Sequence, residues 1–247
     1  GLLTPAGQIG MAVRRYYDDY GVKPDQVGWV PVVCSEHAAQ NPRAIFHDAP
    51  IKIGDYMASE LVVDPLRALD CAPEVDGAIA IVLTSAERAR DLPNQPAFVR
   101  SVAMGTSTEG EHLSSYQREA LSHLPEVELM GRELFRVAGV GPEDISVAQI
   151  DDRFAPLVPM QLEALGFCGR GEGGAFCEGG DNLRVGGRLA LNTGGGFLGE
   201  GFSHGLNVIE AVRQMRGTSS GQVDGAELAL VTSGAGGPAD GVILSNS

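Results

Sequence analysis

The chain has little cysteine, little positive charge and no long apolar run. Its four cysteines (Cys34, Cys71, Cys168 and Cys177) are too few among 247 residues for a disulfide scaffold and lack CxxC spacing. A reducing cytoplasm is the expected setting. Lysine and arginine number 18 against 32 acidic residues, a net charge of −14. That charge repels phosphate backbones and anionic lipid, which argues against nucleic acid and membrane surfaces as partners. No apolar stretch approaches the roughly 20 residues a bilayer span needs, and no basic-then-apolar leader opens the chain. GxxxxGK[ST] and an early GxGxxG are both missing, so phosphate-cradle readings lack support. The histidines and cysteines show no metal-ligand spacing; Cys168 and Cys177 read as free thiols and no metal is expected.

What is present is an ordinary globular balance, 43% hydrophobic and 20% charged, with 34 glycines. The glycines crowd between Gly166 and Gly205, interleaved with Leu, Phe and Val as linkers are not, so loops there are expected to pack around a ligand. Thr4-Pro5 starts a helix that runs to about Tyr20 and stops at Gly21. A second helical stretch is expected over 25–40 with Pro31 near its first turn, and Asp55 caps a short helix over 56–61. Further helices are expected over 126–138, 156–165 and 202–216. Strands are expected over 76–84, 97–104, 145–150, 187–192, 227–232 and 241–244, mostly in one mixed sheet. The run 78–83 is apolar on both faces and predicts a buried central strand. Alternation of strands and helices gives an α/β layered fold. Gly1 stands in place of an initiator Met on a segment about to enter a helix, as expected of a fragment or processed product.

Catalytic groups in layered α/β proteins gather where strands turn into helices. Three such turns are chemically loaded. Gln149-Ile-Asp151-Asp152-Arg153-Phe154 puts adjacent carboxylates and an arginine after a strand. The stretch 192–205 is a glycine loop carrying Glu200, Phe202, Ser203 and His204. The stretch 232–237 joins the closing strands through Gly234, Gly236 and Gly237. These loops are expected to converge on one pocket; the alternative is three separate structural turns.

These residues carry a resemblance. Leu191-Asn192-Thr193-Gly194-Gly195-Gly196 through Gly205 resembles the thiolase-superfamily segment that follows a core strand with asparagine and paired glycines. The turn 150–154 sits where thiolases carry Asn-Glu-Ala-Phe or His-Asp-Cys-Phe, and 232–237 where they carry the C-terminal cysteine loop. The lipid-transfer-protein branch, which includes sterol-carrier thiolases and steroid side-chain aldolases, is nearer still. It shares the Thr-Pro-Ala helix opening, His-Ala-x-x-Asn-Pro-x-Ala (37–44), Asp-Pro-Leu-Arg (64–67), Asp-Gly-Ala-x-Ala (76–80) and Leu-Glu-x-x-Gly-Phe-Cys (162–168). The match runs from Gly1 to about Ile243. It implies a five-layered α/β/α/β/α thiolase fold with mixed sheets, incomplete at its N-terminus by roughly the first third, where thiolases hold their nucleophilic cysteine. Its parts would be a helical loop or cap region (1–64), the end of an N-terminal thiolase-like half (65–105) and a C-terminal half (106–247).

The departures from that pattern narrow the chemistry. Phe202 occupies the position of the thiolase histidine, which is tyrosine in aldolase-type relatives; Asp151 occupies an Asn, His or Tyr position. Val231 to Ser233 holds no thiol where the C-terminal cysteine is expected. Phenylalanine neither moves a proton nor donates a hydrogen bond, so thiolysis by the usual machinery is not expected. The resemblance then implies an acyl-CoA enzyme making or breaking a carbon–carbon bond, through retro-aldol cleavage of a β-hydroxyacyl-CoA from lipid or steroid. Two alternatives stand: a non-catalytic acyl-CoA-binding or assembly subunit, and an acetyl-CoA acyltransferase using a cysteine in the absent N-terminal part. His204, the only ionisable group of these loops whose unperturbed pKa lies near neutrality, is the expected base, with Asp151 and Asp152 as further catalytic candidates. Phe202, Ser203, Gly195, Gly196 and Gly236 are expected to hold the substrate. Coenzyme A would enter as a thioester substrate with no other cofactor. The expected partners are a second copy of the chain and an OB-fold protein of the kind that accompanies steroid aldolases.

Overall fold

Thr4 caps the first helix: its Oγ1 accepts the Gly7 N–H at 3.1 Å, and Gly21, at φ +69°, closes the other end. The computed structural model describes residues 3–106, 112, 118, 121–201 and 205–247. Helices α1 (Pro5–Tyr20), α2 (Pro24–Val27), α3 (Trp29–Ala39) and α4 (Ile53–Ala58) precede a small hairpin of β1 (Leu61–Val63) and β2 (Leu66–Arg67). The helix expected over 25–40 is therefore two helices broken at Gly28, with Pro31 in the first turn of α3, where its missing N–H costs nothing. Asp55 lies one turn inside α4, its carboxylate accepting the Lys52 N–H at 2.8 Å.

The short helix α5 (Ala86–Ala89), strand β3 (Phe98–Gly105), helix α6 (Pro125–Ala138), strand β4 (Val147–Gln149) and helix α7 (Leu157–Ala164) follow. Then come α8 (Gly173–Cys177), β5 (Ala190–Leu191), α9 (Gly196–Gly199), α10 (Leu206–Arg216), β6 (Leu228–Ser233) and β7 (Ala239–Ser245). The main sheet has the order β3-β7-β6-β4-β5. β4 runs parallel to both β5 and β6, whereas β7 is antiparallel to β6 and β3. This is the layered α/β arrangement with a mixed sheet that the sequence predicts.

Alternate residues of the central strands serve opposite faces. Ala148, Leu230 and Ile243 join the core under α6 and α7; Val147, Ala229, Val231 and Leu244 pack with Ala211 and Met215 of α10. The first of these cores continues into the N-terminal helices through Val13, Tyr16, Val30 and Cys34.

The strand expected over 76–84 is not formed. Residues 76–84 belong to no ladder, and Ile81, Val82 and Leu83 are 49%, 89% and 80% exposed. The run has the apolar character expected of a strand, yet the five strands of the main sheet pair among themselves and leave it without a partner. Among the described residues, no helix is long and apolar enough to cross a membrane.

Candidate active site

β4 ends at Gln149, and the next three residues meet two glycine loops. Asn192, at φ +47°, folds its side chain back so that Oδ1 accepts the Ile150 N–H at 2.7 Å and Nδ2 donates to the Ile150 carbonyl at 3.0 Å. A short polar side chain tolerates this left-handed backbone, and here it extends the β4–β5 pairing by one residue. The adjacent aspartates that follow are both fully buried, and their carboxylates engage different loops.

Asp152 reaches α9. Its Oδ1 accepts the Phe197 N–H at 2.8 Å and its Oδ2 the Leu198 N–H at 3.3 Å; the Cys34 thiol donates to Oδ2 from 3.5 Å. Gly196 has to be glycine: it sits at φ +64°, and a Cβ there would fall 2.2 Å from Asp152 Oδ2. Burial, opposed by the two backbone donors and reinforced by the neighbouring Asp151 charge, pushes the Asp152 carboxyl up to about 7. Burial first, then the Asp152 charge, raises the Cys34 thiol well above its ordinary value, so Cys34 is a neutral donor.

Asp151 reaches the other way. Arg153 forks onto its carboxylate, Nε lying 2.9 Å from Oδ1 and 3.1 Å from Oδ2 with a terminal nitrogen on Oδ2 as well. The Gly234 N–H also donates to Oδ2, at 2.9 Å. The Asp151 N–H donates to Thr232 Oγ1 at 3.2 Å, Thr232 donates to Gln161 Oε1 at 2.8 Å, and Gln161 Nε2 donates to the Asp151 carbonyl at 2.7 Å. One dipeptide thus ties the 192–200 loop to the 232–234 loop, and α7 braces the join.

A second buried network lies behind the glycine loop. Thr193 Oγ1 donates to Glu210 at 2.8 Å and accepts from Gln149 and Gln214 at 3.0 and 2.9 Å. Asn41 Nδ2 donates to the Gly194 carbonyl at 2.9 Å, and His37 Nδ1 to the Leu191 carbonyl at 2.9 Å. Burial lowers the His37 pKa, so this histidine serves as a neutral donor. Glu200 is buried against Arg213, 3.4 Å away, and burial raises its carboxyl.

The structure therefore brings together Asp151, Asp152, Gly195 and Gly196 of the residues expected from sequence, along with the described parts of the three loaded turns. Gly195 backs onto α3, where a side chain would strike Ala38. Gly236 faces elsewhere: its N–H donates to Glu126 Oε1 at 3.2 Å, and the other oxygen of that carboxylate pairs with Arg118 at 2.9 Å. Phe202, Ser203 and His204 lie outside the described residues. Sequence reasoning missed Cys34 and Gln161, and it read Thr232 only as the first residue of a loaded turn. Cys34 reads as one more core residue of α3, and nothing in the sequence ties Gln161 to a strand 71 residues away. Among the described residues no group of three His, Cys, Asp or Glu side chains is placed to hold a metal ion.

Two hollows lie beside residues that bond the pair, and neither is lined by Asp151 or Asp152 itself. One of about 490 Å³ is lined by Pro31, Ser35, Phe46, Cys71 and the same Leu198 whose N–H holds Asp152. The other, of about 510 Å³, is lined by Val102, Met104, Val208, Thr232 and Ser233.

Residues 106–244 match the family of thiolase C-terminal domain-like proteins. The chain belongs to that family. Over 245 residues it is 47% identical to the 17-hydroxy-3-oxo-4-pregnene-20-carboxyl-CoA lyase of Mycobacterium tuberculosis, a match covering 99% of this chain and 63% of the relative. It is 46% identical, again over 99% of its length, to 62% of a steroid side-chain-cleaving aldolase of Thermomonospora curvata. Among solved structures it superposes on the Ltp2-ChsH2(DUF35) aldolase with a TM-score of 0.96 at 45% identity, covering 99% of this chain and 64% of that one. The resemblance to the thiolase superfamily and its steroid-aldolase branch thus holds along nearly the whole chain. This thiolase-family chain spans a little under two thirds of the length of these relatives.

Proposed function

We propose that this chain is the thiolase-fold part of an acyl-CoA lyase that cleaves a steroid side chain by a retro-aldol reaction. The observation that carries the proposal is the identity of 47% and 46%, over 99% of the chain, to a pregnene-carboxyl-CoA lyase and a steroid side-chain-cleaving aldolase. In such a reaction a base takes the proton of the β-hydroxyl and the oxygen becomes a ketone. The bond between α and β carbons breaks, and its electron pair passes to the thioester enolate, which is then protonated at carbon. No covalent cysteine is needed, which suits the thiol-free stretch Val231 to Ser233. Nor is an electron carrier needed, so coenzyme A enters only as part of the substrate, a setting that fits the cytoplasm.

His204 is assigned as the base. Asp151 and Asp152 are assigned as positioning residues, because the Arg153 guanidinium and four backbone N–H groups already occupy their carboxylates. Phe202 and Ser203 are assigned to the substrate contact beside His204, and Gly195 and Gly196 keep the loop close to it. We further propose that the lyase works with a DUF35 protein, the component named together with Ltp2 in the superposing aldolase; a paired copy of the chain belongs to the same proposal.

The test is release of ketone from a steroid β-hydroxyacyl-CoA by the purified protein with its partner. His204→Ala is expected to lower kcat by about 10²-fold or more. Turnover of His204→Ala at the wild-type rate would remove the assignment. The second reading, a non-catalytic subunit, is favoured by the closure of Asp151 against Arg153 and Gly234, and absence of any ketone release would decide for it.

A further inference from the structure

We infer that Arg213 is a positioning residue: from α10 it ties the end of the 192–200 loop to the loop's start, and so fixes the point from which the stretch carrying the assigned base departs. The inference rests on the retro-aldol reading, which assigns that base to His204, and adds to it a residue given no substrate contact.

Arg213 and Gln214 follow Glu210 by three and four residues on α10, so the three side chains share one face of the helix. That face grips both ends of the loop. At its start, Glu210 Oε1 accepts the Thr193 hydroxyl at 2.8 Å, and Gln214 Nε2 donates to Thr193 Oγ1 at 2.9 Å. At its end, Arg213 Nη1 donates to Glu200 Oε1 at 3.4 Å and, over the same distance, to Glu210 Oε2. The two carboxyl groups meet over one glycine: a Cβ on Gly194 would fall 2.8 Å from Glu200 Oε2 and 3.2 Å from Glu210 Cδ. One guanidinium thus serves two carboxyl groups whose side chains are 5% and 1% exposed.

Buried carboxylates repel each other, and taking the cation from such a group leaves an uncompensated charge. Glu210 has further donors, since the Ser219 hydroxyl joins Thr193 at Oε1. Glu200 has the Asn41 side chain and Arg213. Without Arg213, Glu200 would face Glu210 across Gly194, and the end of the loop would move away. The displacement would reach the site by two routes. α9 lies inside the loop and gives the Phe197 and Leu198 N–H groups to Asp152, while Gly201, directly after Glu200, opens the stretch that carries the base. A lysine at 213 would keep the charge and lose the planar fork that reaches both carboxyl groups.

The experiment compares Arg213→Met, Arg213→Lys and the double variant Arg213→Met, Glu200→Gln in the purified protein with its partner, by ketone release and by amide hydrogen exchange. Arg213→Met is expected to lower kcat about tenfold with KM within about twofold, because no substrate contact is lost, and Arg213→Lys to recover most of the loss. The Phe197 and Leu198 amides are expected to exchange about tenfold faster in Arg213→Met, beyond any change at 147–149, whose exchange reports global unfolding. The double variant is expected to return them toward the wild-type rate, because it leaves no uncompensated carboxylate at 200. Arg132→Met, at an exposed arginine of α6, is expected to change neither readout. Unchanged exchange at Phe197 and Leu198 in Arg213→Met would overturn the inference, as would a double variant no better than the single one. A rise in KM at unchanged kcat, or no recovery with lysine, would overturn it too. A wild-type protein that releases no ketone would remove the retro-aldol reading, and the exchange readout, which needs no substrate, would then decide the role of Arg213 by itself.

Discussion

Strand β4 and the run 78–83 differ in composition in the direction opposite to their burial. β4 carries Gln149 among its three residues yet is wholly buried, hydrogen-bonded by β5 on one side and β6 on the other. Residues 78–83 carry no polar side chain, yet stand in solvent outside any ladder. A continuous apolar pattern states what a segment requires; whether the requirement is met depends on partners distant in sequence. In β4 the partners come from residues 190–191 and 228–233. For 78–83 the five strands of the main sheet supply none.

Matched substitutions break the comparison most sharply. Ala148→Asp would bury an unpaired charge in the centre of the sheet and is expected to cost about 3–5 kcal/mol or more in urea unfolding. Val82→Asp is expected to stay within about 0.5 kcal/mol. An Ala148→Asp variant as stable as wild type would show that β4 is not the core of the sheet.

Gly196→Ala comes next. It places a Cβ on Asp152 Oδ2 at a backbone angle that side chains avoid, with an expected cost of about 1–3 kcal/mol and a displaced 192–200 loop. Near-UV dichroism and urea midpoints check both.

The smallest effect is a change of slope. Asp152 is raised from 3.8 to about 7, so the folded state binds its proton more tightly than the unfolded chain. Its contribution to stability is complete below about pH 4 and is lost as pH rises through 7. Asp70, buried and raised to about 6, acts in the same direction. Asp152→Asn is therefore expected to flatten the fall in urea midpoint between pH 4 and 7 without abolishing it. An unchanged slope would mean that Asp152 titrates as an exposed carboxylate does.

Much of this was legible in the sequence because it is local. Thr4, Pro5 and Gly21 fix the bounds of α1 by capping chemistry alone, and the apolar periodicity of 126–138 marks α6. The Asp151-Asp152 turn and the Gly194 to Gly196 loop were legible as chemically loaded strand ends, and the motifs at 37–44, 64–67 and 162–168 pointed to the family. What escaped was non-local or too short to have a period. α8 and α9 are five and four residues of mostly small side chains, with no amphipathic stripe to read. The divergence of the two carboxylates depends on Arg153, Gly234 and the N-terminus of α9 arriving from three directions. The chain makes plain that 78–83 needs cover; that the main sheet does not provide it is a property of the fold.

The contrast between the two runs is tested most directly by native-state hydrogen exchange in the free chain. The amides of 147–149 are expected to exchange only through global unfolding, with the full stability of the domain, whereas those of 78–83 exchange at nearly the rates of an unstructured peptide. Protection of 78–83 equal to that of 147–149 in a monomeric chain would contradict the account, because the run would then already be paired.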